Sequence, residues 1–480
     1  MSQSQMPLLN RLIAHNNNHP LSFHVPGHKN GQLFQGNGRV YYESLLHLDA
    51  TELTGLDDLH APEGVIHSAE ELLSELYGAG KSFFLVNGST SGNLAMILAT
   101  LKENDVVLVQ RNSHKSIMNG IQLAKAHPVY IHPEYDDETM VASGVGLETV
   151  KEALKANPHA KALILTYPNY YGMVYNLQEI IKLAQDSQIP VLVDEAHGVH
   201  FVAGDPFPPS ALELGADIVV QSAHKTLPAM TMGAFLHYNS KVISLSRVSY
   251  YLQVLQSSSP SYPIMGSLDF ARSYLGTFTL EDKQYLLNQL TAFRKEVNNI
   301  EGLKVLWRKN EDPLKLVLQS TDGLSGYELQ SLLESQGIYS ELADPINVLL
   351  VLPMVKQDSP FPFNVAIERM KQAMFKTGNY LDGARHHPDN FHVFRGDSFS
   401  SLAVSYKEME QMQQVGMSLD IAIGEICAET ITPYPPGIPL LLPGERIQQF
   451  HISYIKRLLE LGAKIQGGAQ LINKKIKVLK

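Results

Sequence analysis

The chain has a single cysteine, Cys427, in 480 residues. An internal disulfide framework is therefore excluded, and the composition fits a reducing compartment. Long apolar runs are missing too: nothing approaches the ~18 consecutive apolar residues that a bilayer-spanning helix needs. The opening stretch MSQSQMPLLNRLIAHNNNHP has no basic segment followed by an apolar one, so no signal peptide is expected. Positive charge is in deficit. The formal net charge of −10 argues against non-specific binding to nucleic acid or to a membrane surface. These absences predict a cytoplasmic protein with neither nucleic acid nor membrane as a partner. What remains is 44% hydrophobic and 18% charged residues, an ordinary globular composition. The length allows about three domains at ~150 residues each.

From Ser68 to about residue 280, short apolar runs alternate with amphipathic stretches. The pattern predicts strands at 82–86, 105–110, 129–132, 162–166, 190–194, 217–221 and 232–237. It predicts helices at 94–101, 116–125, 147–156, 177–188 and 241–255. A further helix is expected to open on the capping box Ser68-x-x-Glu71 and to stop at Gly78 and Gly80. This βαβα rhythm predicts an α/β fold, with a large domain whose mainly parallel sheet is flanked by helices. Beyond residue 280 the pattern becomes that of a smaller α+β domain: helix 281–300, strand 314–318, helix 325–336, strand 347–353. Residues 384–400 read as a linker, and 407–430 as helical or mixed. The five prolines and two glycines of 433–446 require an extended, irregular path. The expected divisions are 1–66, 67–280, 281–383 and 384–480.

In such a sheet, ligands sit beyond the carboxyl ends of the strands. The run 190–194 ends in Asp194, with His197 just after it, and the run 217–221 ends in Ser222, Ala223, His224 and Lys225. Two neighbouring parallel strands, joined through a loop and a short helix, would present these side chains at one rim. A carboxylate and a lysine held there suit pyridoxal phosphate (PLP). The amine forms a Schiff base with the aldehyde, and the acid keeps the pyridine nitrogen protonated. Each residue alone reads more simply as an ordinary buried Asp or surface Lys; both at strand ends do not.

The stretch Gly88-Ser89-Thr90-Ser91-Gly92-Asn93 leads from a strand into a helix. Small residues let the backbone approach an anion, hydroxyls donate, and the helix N-terminus adds its dipole. The Gly-Lys-Ser/Thr ending of a Walker loop is missing. Alone, the stretch is an N-cap. With a lysine on a later strand it becomes a candidate phosphate cup of Ser89, Thr90 and Ser91, approached by Ser222 and His224. His114, in a strand-to-helix turn, fits either a stack on a pyridine ring or a helix cap. His24 and His28 stand i, i+4, but Pro26 and Gly27 between them exclude the helix that a metal pair needs, and no metal site is expected. Asp57, Asp58 and His60 read as a solvated turn.

The chain resembles the PLP-dependent ornithine/lysine/arginine decarboxylases of fold type I, in the aspartate-aminotransferase-like superfamily. It resembles their shorter form, without an N-terminal wing domain. The matching stretches are FHVPGHKNG at 23–31, TGLDDLHAP at 54–62, NGSTSGNL at 87–94 and RNSHKS at 111–116. They continue with VDEAHGVHF at 193–201, SAHKT at 222–226, SSSPSYP at 257–263 and PYPPGIPLLLPGE at 433–445. The resemblance implies that Lys225 is the Schiff-base lysine, that Asp194 holds the pyridine nitrogen and that His114 stacks over the ring. It implies Ser89, Thr90, Ser222 and His224 around the phosphate and His197 beside the cofactor. It further implies that Ser257 or Ser258 reaches the phosphate of a neighbouring subunit's cofactor, which makes a homodimer, or a dimer-based oligomer, with shared sites.

The implied substrate is arginine, lysine or ornithine, whose distal cation calls for a carboxylate; Glu445 and Glu429 are the C-terminal candidates. Ser113, where the family often has Cys, and the run around Glu408 depart from the pattern. The alternative is an aminotransferase or α-oxoamine synthase on the same scaffold. An aminotransferase clamps the α-carboxylate with an arginine, for which Arg308, Arg369, Arg385, Arg395 and Arg446 are available. The YPPGIPLLLPGE segment favours the decarboxylase. A non-catalytic PLP-binding regulator is a third reading, opposed by the intact Lys225 and Asp194.

Overall fold

The computed structural model describes residues 2–308, 311–375, 398–433 and 438–480. Arg385, Arg395, most of the expected linker (384–397) and residues 434–437 lie outside them. The polypeptide forms two compact units, each discontinuous in sequence. The first comprises Met1–Thr100 and Pro190–Thr279, the second Leu101–Ile189 and Leu280–Lys480.

The strands β1 (Lys81–Leu85), β2 (Val106–Gln110), β3 (His127–Ile131), β4 (Ala162–Thr166), β5 (Val191–Asp194), β6 (Ile218–Gln221) and β7 (Ala234–Tyr238) follow the expected rhythm closely. After them come β8 (Leu303–Leu306), β9 (Lys315–Ser320), β10 (Leu342–Ala343), β11 (Val348–Val351) and β12 (Phe399–Ser401). The last are β13 (Gln414–Ser418), β14 (Ile426–Cys427), β15 (Thr432–Pro433), β16 (Ile465–Gln466) and β17 (Lys475–Leu479).

In the first unit the strand order is β1-β7-β6-β5. β5 and β6 are parallel, with Asp194 opposite Val220, and β7 runs antiparallel between β6 and β1. β1, β5 and β6 therefore point the same way. Every residue of β5 and β6 is buried, which is why they read as near-continuous apolar runs and not as alternations. The helix Gly88–Thr100 covers one face. Gly92 lets it lie close: a Cβ there would stand 2.6 Å from Leu85 Cδ1 and 2.9 Å from Val220 Cγ1. The helix Val65–Tyr77 covers the other face, its Tyr77 ring stacked on His237 at 4.2 Å.

In the second unit the order is β4-β2-β3-β12. β2 runs parallel to β3 and β4, and β12 closes the edge antiparallel to β3. A separate antiparallel sheet, β10-β11-β9-β8, carries the helices Leu280–Asn298 and Gly326–Ser335. The C-terminal strands β13-β17-β14 enclose a core of Leu419, Cys427, Ile431, Leu441, Ile455 and Val478. Burial pushes the Cys427 thiol up to about 12, so it behaves as a small apolar side chain.

Several expectations change. The helix expected to open at Ser68 begins at Val65. Its cap is Asp57, whose carboxylate accepts the backbone N–H groups of Glu63, Gly64, Ile66 and His67, so Asp57 is more than a solvated turn. Ser68 Oγ merely donates back to the Gly64 carbonyl. Between β5 and β6 there is only the 3-10 turn Phe201–Ala203, not a short helix. Residues 407–430 lean to strand, with one helical turn at Tyr406–Met409. The helices Arg39–Leu46, Tyr262–Gly276, Phe363–Phe375 and Gln449–Glu460 are additional to those expected. Among the described residues, no helix is long and apolar enough to cross a membrane.

Candidate active site

The site in the first unit is built at the carboxyl ends of β5 and β6. Successive side chains of a strand point to opposite faces. At the end of β5, Asp194 points toward the helix Gly88–Thr100, where its Oδ2 accepts the Asn93 amide at 3.1 Å. Its Oδ1 accepts the Ala196 N–H at 3.2 Å. Asp194 is 2% exposed. Burial pushes its carboxyl above the usual range, while the Lys225 charge, the Asn93 amide and the Ala196 N–H pull the other way.

β6 ends at Gln221, and Ser222 again faces the helix, its hydroxyl 2.9 Å from that of Ser89. A 3-10 turn, Ala223–Lys225, then folds the lysine back over the rim. Lys225 Nζ lies 2.9 Å from His197 Nε2. His224 is held by its Nδ1 at 3.0 Å from the Gly233 carbonyl oxygen. The rim thus gathers Asp194, His197 and Lys225 as one group and Ser89 with Ser222 as a second, at the start of a 13-residue helix.

Other expected members are placed differently. Ser91 is buried, and its hydroxyl donates to the Gly88 carbonyl at 2.8 Å. Thr90 is exposed on the first turn. The Ser257 N–H faces Asn87 Oδ1 at 3.4 Å, its carbonyl lies 2.8 Å from His60 Nε2, and its hydroxyl donates to Ser259 O at 3.2 Å. His60 therefore holds the 257 loop near the helix start. Ser258 is exposed. Asn93 was not anticipated as a site residue. Its sequence signals are its place at the end of the Gly88–Asn93 stretch and a polar amide beside small and apolar residues.

His114, Glu445 and Glu429 belong to the second unit. His114 caps the helix Lys115–Leu123, its Nδ1 accepting the Ser116 N–H at 3.2 Å, so the ring proton of a neutral His114 sits on Nε2. A cavity of about 370 Å³ in this unit is lined by Arg111, Tyr135, Tyr171, Asp344, Glu445 and Tyr454, among others. Glu445 is not an open carboxylate there. Arg111 grips it with Nε and a terminal nitrogen, each at 2.8 Å, and donates further to the Pro439 and Leu440 carbonyls. Glu429 lies away from the cavity and accepts the Lys477 N–H at 2.8 Å. Among the arginines weighed for an aminotransferase, Arg308 is tied to Asp136, Glu138 and Glu311. Arg446 donates to the Gly424 carbonyl at 2.6 Å.

A family model described as "Orn/Lys/Arg decarboxylase, major domain" matches residues 6–312, and one described as "Orn/Lys/Arg decarboxylase, C-terminal domain" matches 398–472. The "Uncharacterized protein YaaO" of Bacillus subtilis (strain 168) is 46% identical over 482 residues, 98% of each chain. The arginine decarboxylase of the same organism is 34% identical over 491 residues, covering 100% of this chain and 99% of its own. Among solved structures, lysine decarboxylase A from Pseudomonas aeruginosa matches with a TM-score of 0.80 at 19% identity, over 99% of this chain and 80% of its own. The architecture is the fold type I PLP-dependent transferase fold with a smaller C-terminal domain. By the reach of both family models and by full-length identity above 30%, the chain belongs to the Orn/Lys/Arg decarboxylase family.

Proposed function

We propose that the protein decarboxylates a basic amino acid, arginine, lysine or ornithine, to the corresponding amine and CO2, with PLP as cofactor. The observation that carries this reading is the buried Asp194 at the tip of β5 together with the Lys225–His197 contact beyond β6, in a chain of this family. The donor set fits the cofactor. Lys225 supplies an amine for the aldehyde and Asp194 a carboxylate for the pyridine nitrogen. Ser89, Ser222 and the N-terminus of the helix Gly88–Thr100 supply donors for the phosphate, joined by Thr90 and His224. Ser91 is turned inward, its hydroxyl donating to the Gly88 carbonyl. When bound, PLP acts as the electron sink for the bond broken at Cα.

The chain's own part is placement and proton handling. Asp194, its carboxylate held by Asn93 and the Ala196 N–H, would face the ring nitrogen of bound PLP and hold a proton there. His197, within hydrogen-bond distance of Lys225 Nζ, takes up or returns the amine proton. His114 is assigned to the ring face, and Ser257 or Ser258 to the phosphate of a partner subunit in a homodimer. A cytoplasmic location agrees with the single buried cysteine. The substrate's distal cation requires a carboxylate, but Glu445 is matched by Arg111 and Glu429 by backbone, so neither is assigned that role.

The test is the stoichiometry of CO2 and amine released from each amino acid by PLP-loaded protein. CO2 and amine in equal amounts are expected from at least one of arginine, lysine and ornithine, with arginine or lysine favoured, and little reaction with aspartate, glutamate or alanine. Keto-acid formation outpacing CO2 release would place the enzyme with the aminotransferases instead.

A further inference from the structure

On the face of the first-unit sheet away from the helix Gly88–Thr100, four buried polar side chains make one continuous line across all four strands. Ser82 on β1 is 2.8 Å from His237 Nδ1 on β7, its direct cross-strand partner. His237 Nε2 is 3.0 Å from Gln221 Oε1 on β6. Gln221 Nε2 is 2.5 Å from Glu195 Oε2, just past β5. All four side chains are fully buried. Glu195 also receives the Ala211 N–H at 2.7 Å and the Ser210 hydroxyl at 2.9 Å.

The line has a direction. Glu195 is flanked by donors, so the Gln221 amide must turn its NH2 toward it and its oxygen toward His237. A neutral His237 then carries its proton on Nε2 and accepts the Ser82 hydroxyl on Nδ1. Burial keeps His237 neutral, with its pKa at about 3. Burial also pushes the Glu195 carboxyl up to about 8. The bridge to Gln221 is compatible with either state, because the Ser210 oxygen can receive a proton from the acid or donate one to the carboxylate.

The last link of the line joins the strand ends that carry the candidate catalytic pair. Glu195 follows Asp194, and Gln221 precedes the Ser222–Lys225 turn. Backbone bonds continue the register there: Glu195 N–H to Val220 O at 2.9 Å and Ser222 N–H to Ala196 O at 3.3 Å. We propose that Glu195 and Gln221 are positioning residues, whose bridge sets the spacing of the β5 and β6 tips and so the placement of Asp194 against Lys225. The proposal rests on the roles given above to those two residues.

The test compares Gln221→Leu, Glu195→Gln and the exchange Glu195→Gln with Gln221→Glu. Leucine removes both links at nearly constant volume. The exchange rebuilds them with the two groups in swapped places. The carboxylate brought to position 221 accepts from His237 and from the amide brought to position 195, whose own oxygen accepts the Ala211 N–H. Each variant is examined for melting temperature as apoprotein, PLP affinity, the visible absorbance of bound PLP, kcat and KM. The Gln221→Leu protein is expected to lose about tenfold in kcat, equivalent to ~1.4 kcal/mol in the barrier, with KM nearly unchanged and the visible band shifted. The exchange should recover most of both. A Gln221→Leu protein that melts earlier but keeps its band, PLP affinity and kcat would overturn the proposal. So would an exchange variant as impaired as Gln221→Leu while melting like the wild type. If the wild type releases no CO2 from any of the three amino acids, the function proposed above fails, whereas the band and the PLP affinity still decide the positioning role.

Discussion

Nζ of Lys225 stands 2.9 Å from Nε2 of His197. With Lys225 as an ammonium, which has donors only, Nε2 is the unprotonated ring nitrogen of His197 and the ring proton sits on Nδ1. A lysine must shed its proton before it attacks a carbonyl carbon, and a neutral imidazole at this distance is placed to take it.

Lys225→Ala should give a folded protein, with an unchanged circular dichroism spectrum, that holds PLP only non-covalently. Borohydride reduction of the wild type followed by peptide mapping should find the pyridoxyl group on Lys225. Its recovery on a different lysine ends the assignment.

Asp194→Asn should bind the cofactor and lose turnover by on the order of 10²–10³, the usual cost of removing a preorganised partner at a reacting centre. Asn93→Leu should act in the same direction but less, because Asp194 keeps the Ala196 N–H. Turnover of Asn93→Leu below that of Asp194→Asn would contradict this order of dependence.

The Arg111–Glu445 pair is mostly buried, at 11% and 12% side-chain exposure. Removing one partner leaves an uncompensated charge, so Glu445→Gln or Arg111→Leu should lower stability by about 3 kcal/mol. Chemical denaturation reads this directly. A Glu445→Gln protein with wild-type stability but a much raised KM for arginine would instead return Glu445 to the role of substrate reader.

The large sheet was legible because β5 and β6 are buried on both faces and each ends in a polar cluster. VLVD and IVVQ could be little else between loops. The caps were less so. Asp269 accepts the Leu8 and Leu9 N–H groups at the start of the helix Pro7–Asn17, and Asp57 caps the helix Val65–Tyr77 from eight residues upstream of its first residue. No local pattern encodes a cap supplied from a distance. The candidate substrate readers illustrate the same limit: sequence shows that Glu445 is acidic, but not that Arg111 already grips it. Asn93 and Gln221 received no role from the sequence because their partners, Asp194 and Glu195, are known only after folding.

Two buried histidines should make an acid-sensitive contribution to stability in a defined window. The folded-state pKa values of His237 and His451 are both lowered to about 3 by burial, against 6.5 for the free side chain. Below pH 6.5 the unfolded chain therefore binds protons that the folded chain refuses. Stability conferred by the neutral rings is present above 6.5 and falls as pH drops toward 3, by at most ~1.4 kcal/mol per pH unit for each histidine. Buried carboxyls raised above their usual range, Glu195 at about 8 among them, act in the opposite sense, so the slope of denaturation curves between pH 7 and 4 is the histidine contribution less theirs. It should shrink by one proton's worth in His237→Gln, whose amide can still bond Ser82 and Gln221. An unchanged slope in that variant would mean that His237 is protonated in the folded protein.

Among the described residues, β1 sits at the edge of its sheet and pairs with β7 alone, Lys81 lying opposite Tyr238. During synthesis the amino-terminal segment emerges first, yet the backbone groups of β1 that face β7 have no partner until residue 238 has left the ribosome. The helix Pro7–Asn17 waits longer still, for Asp269. A nascent chain of this protein therefore carries an unpaired apolar strand, KSFFL, through much of its own translation. Such a late-paired strand is the kind of segment that exposes a growing chain to aggregation, so shielding by a chaperone or by transient collapse would favour the native state.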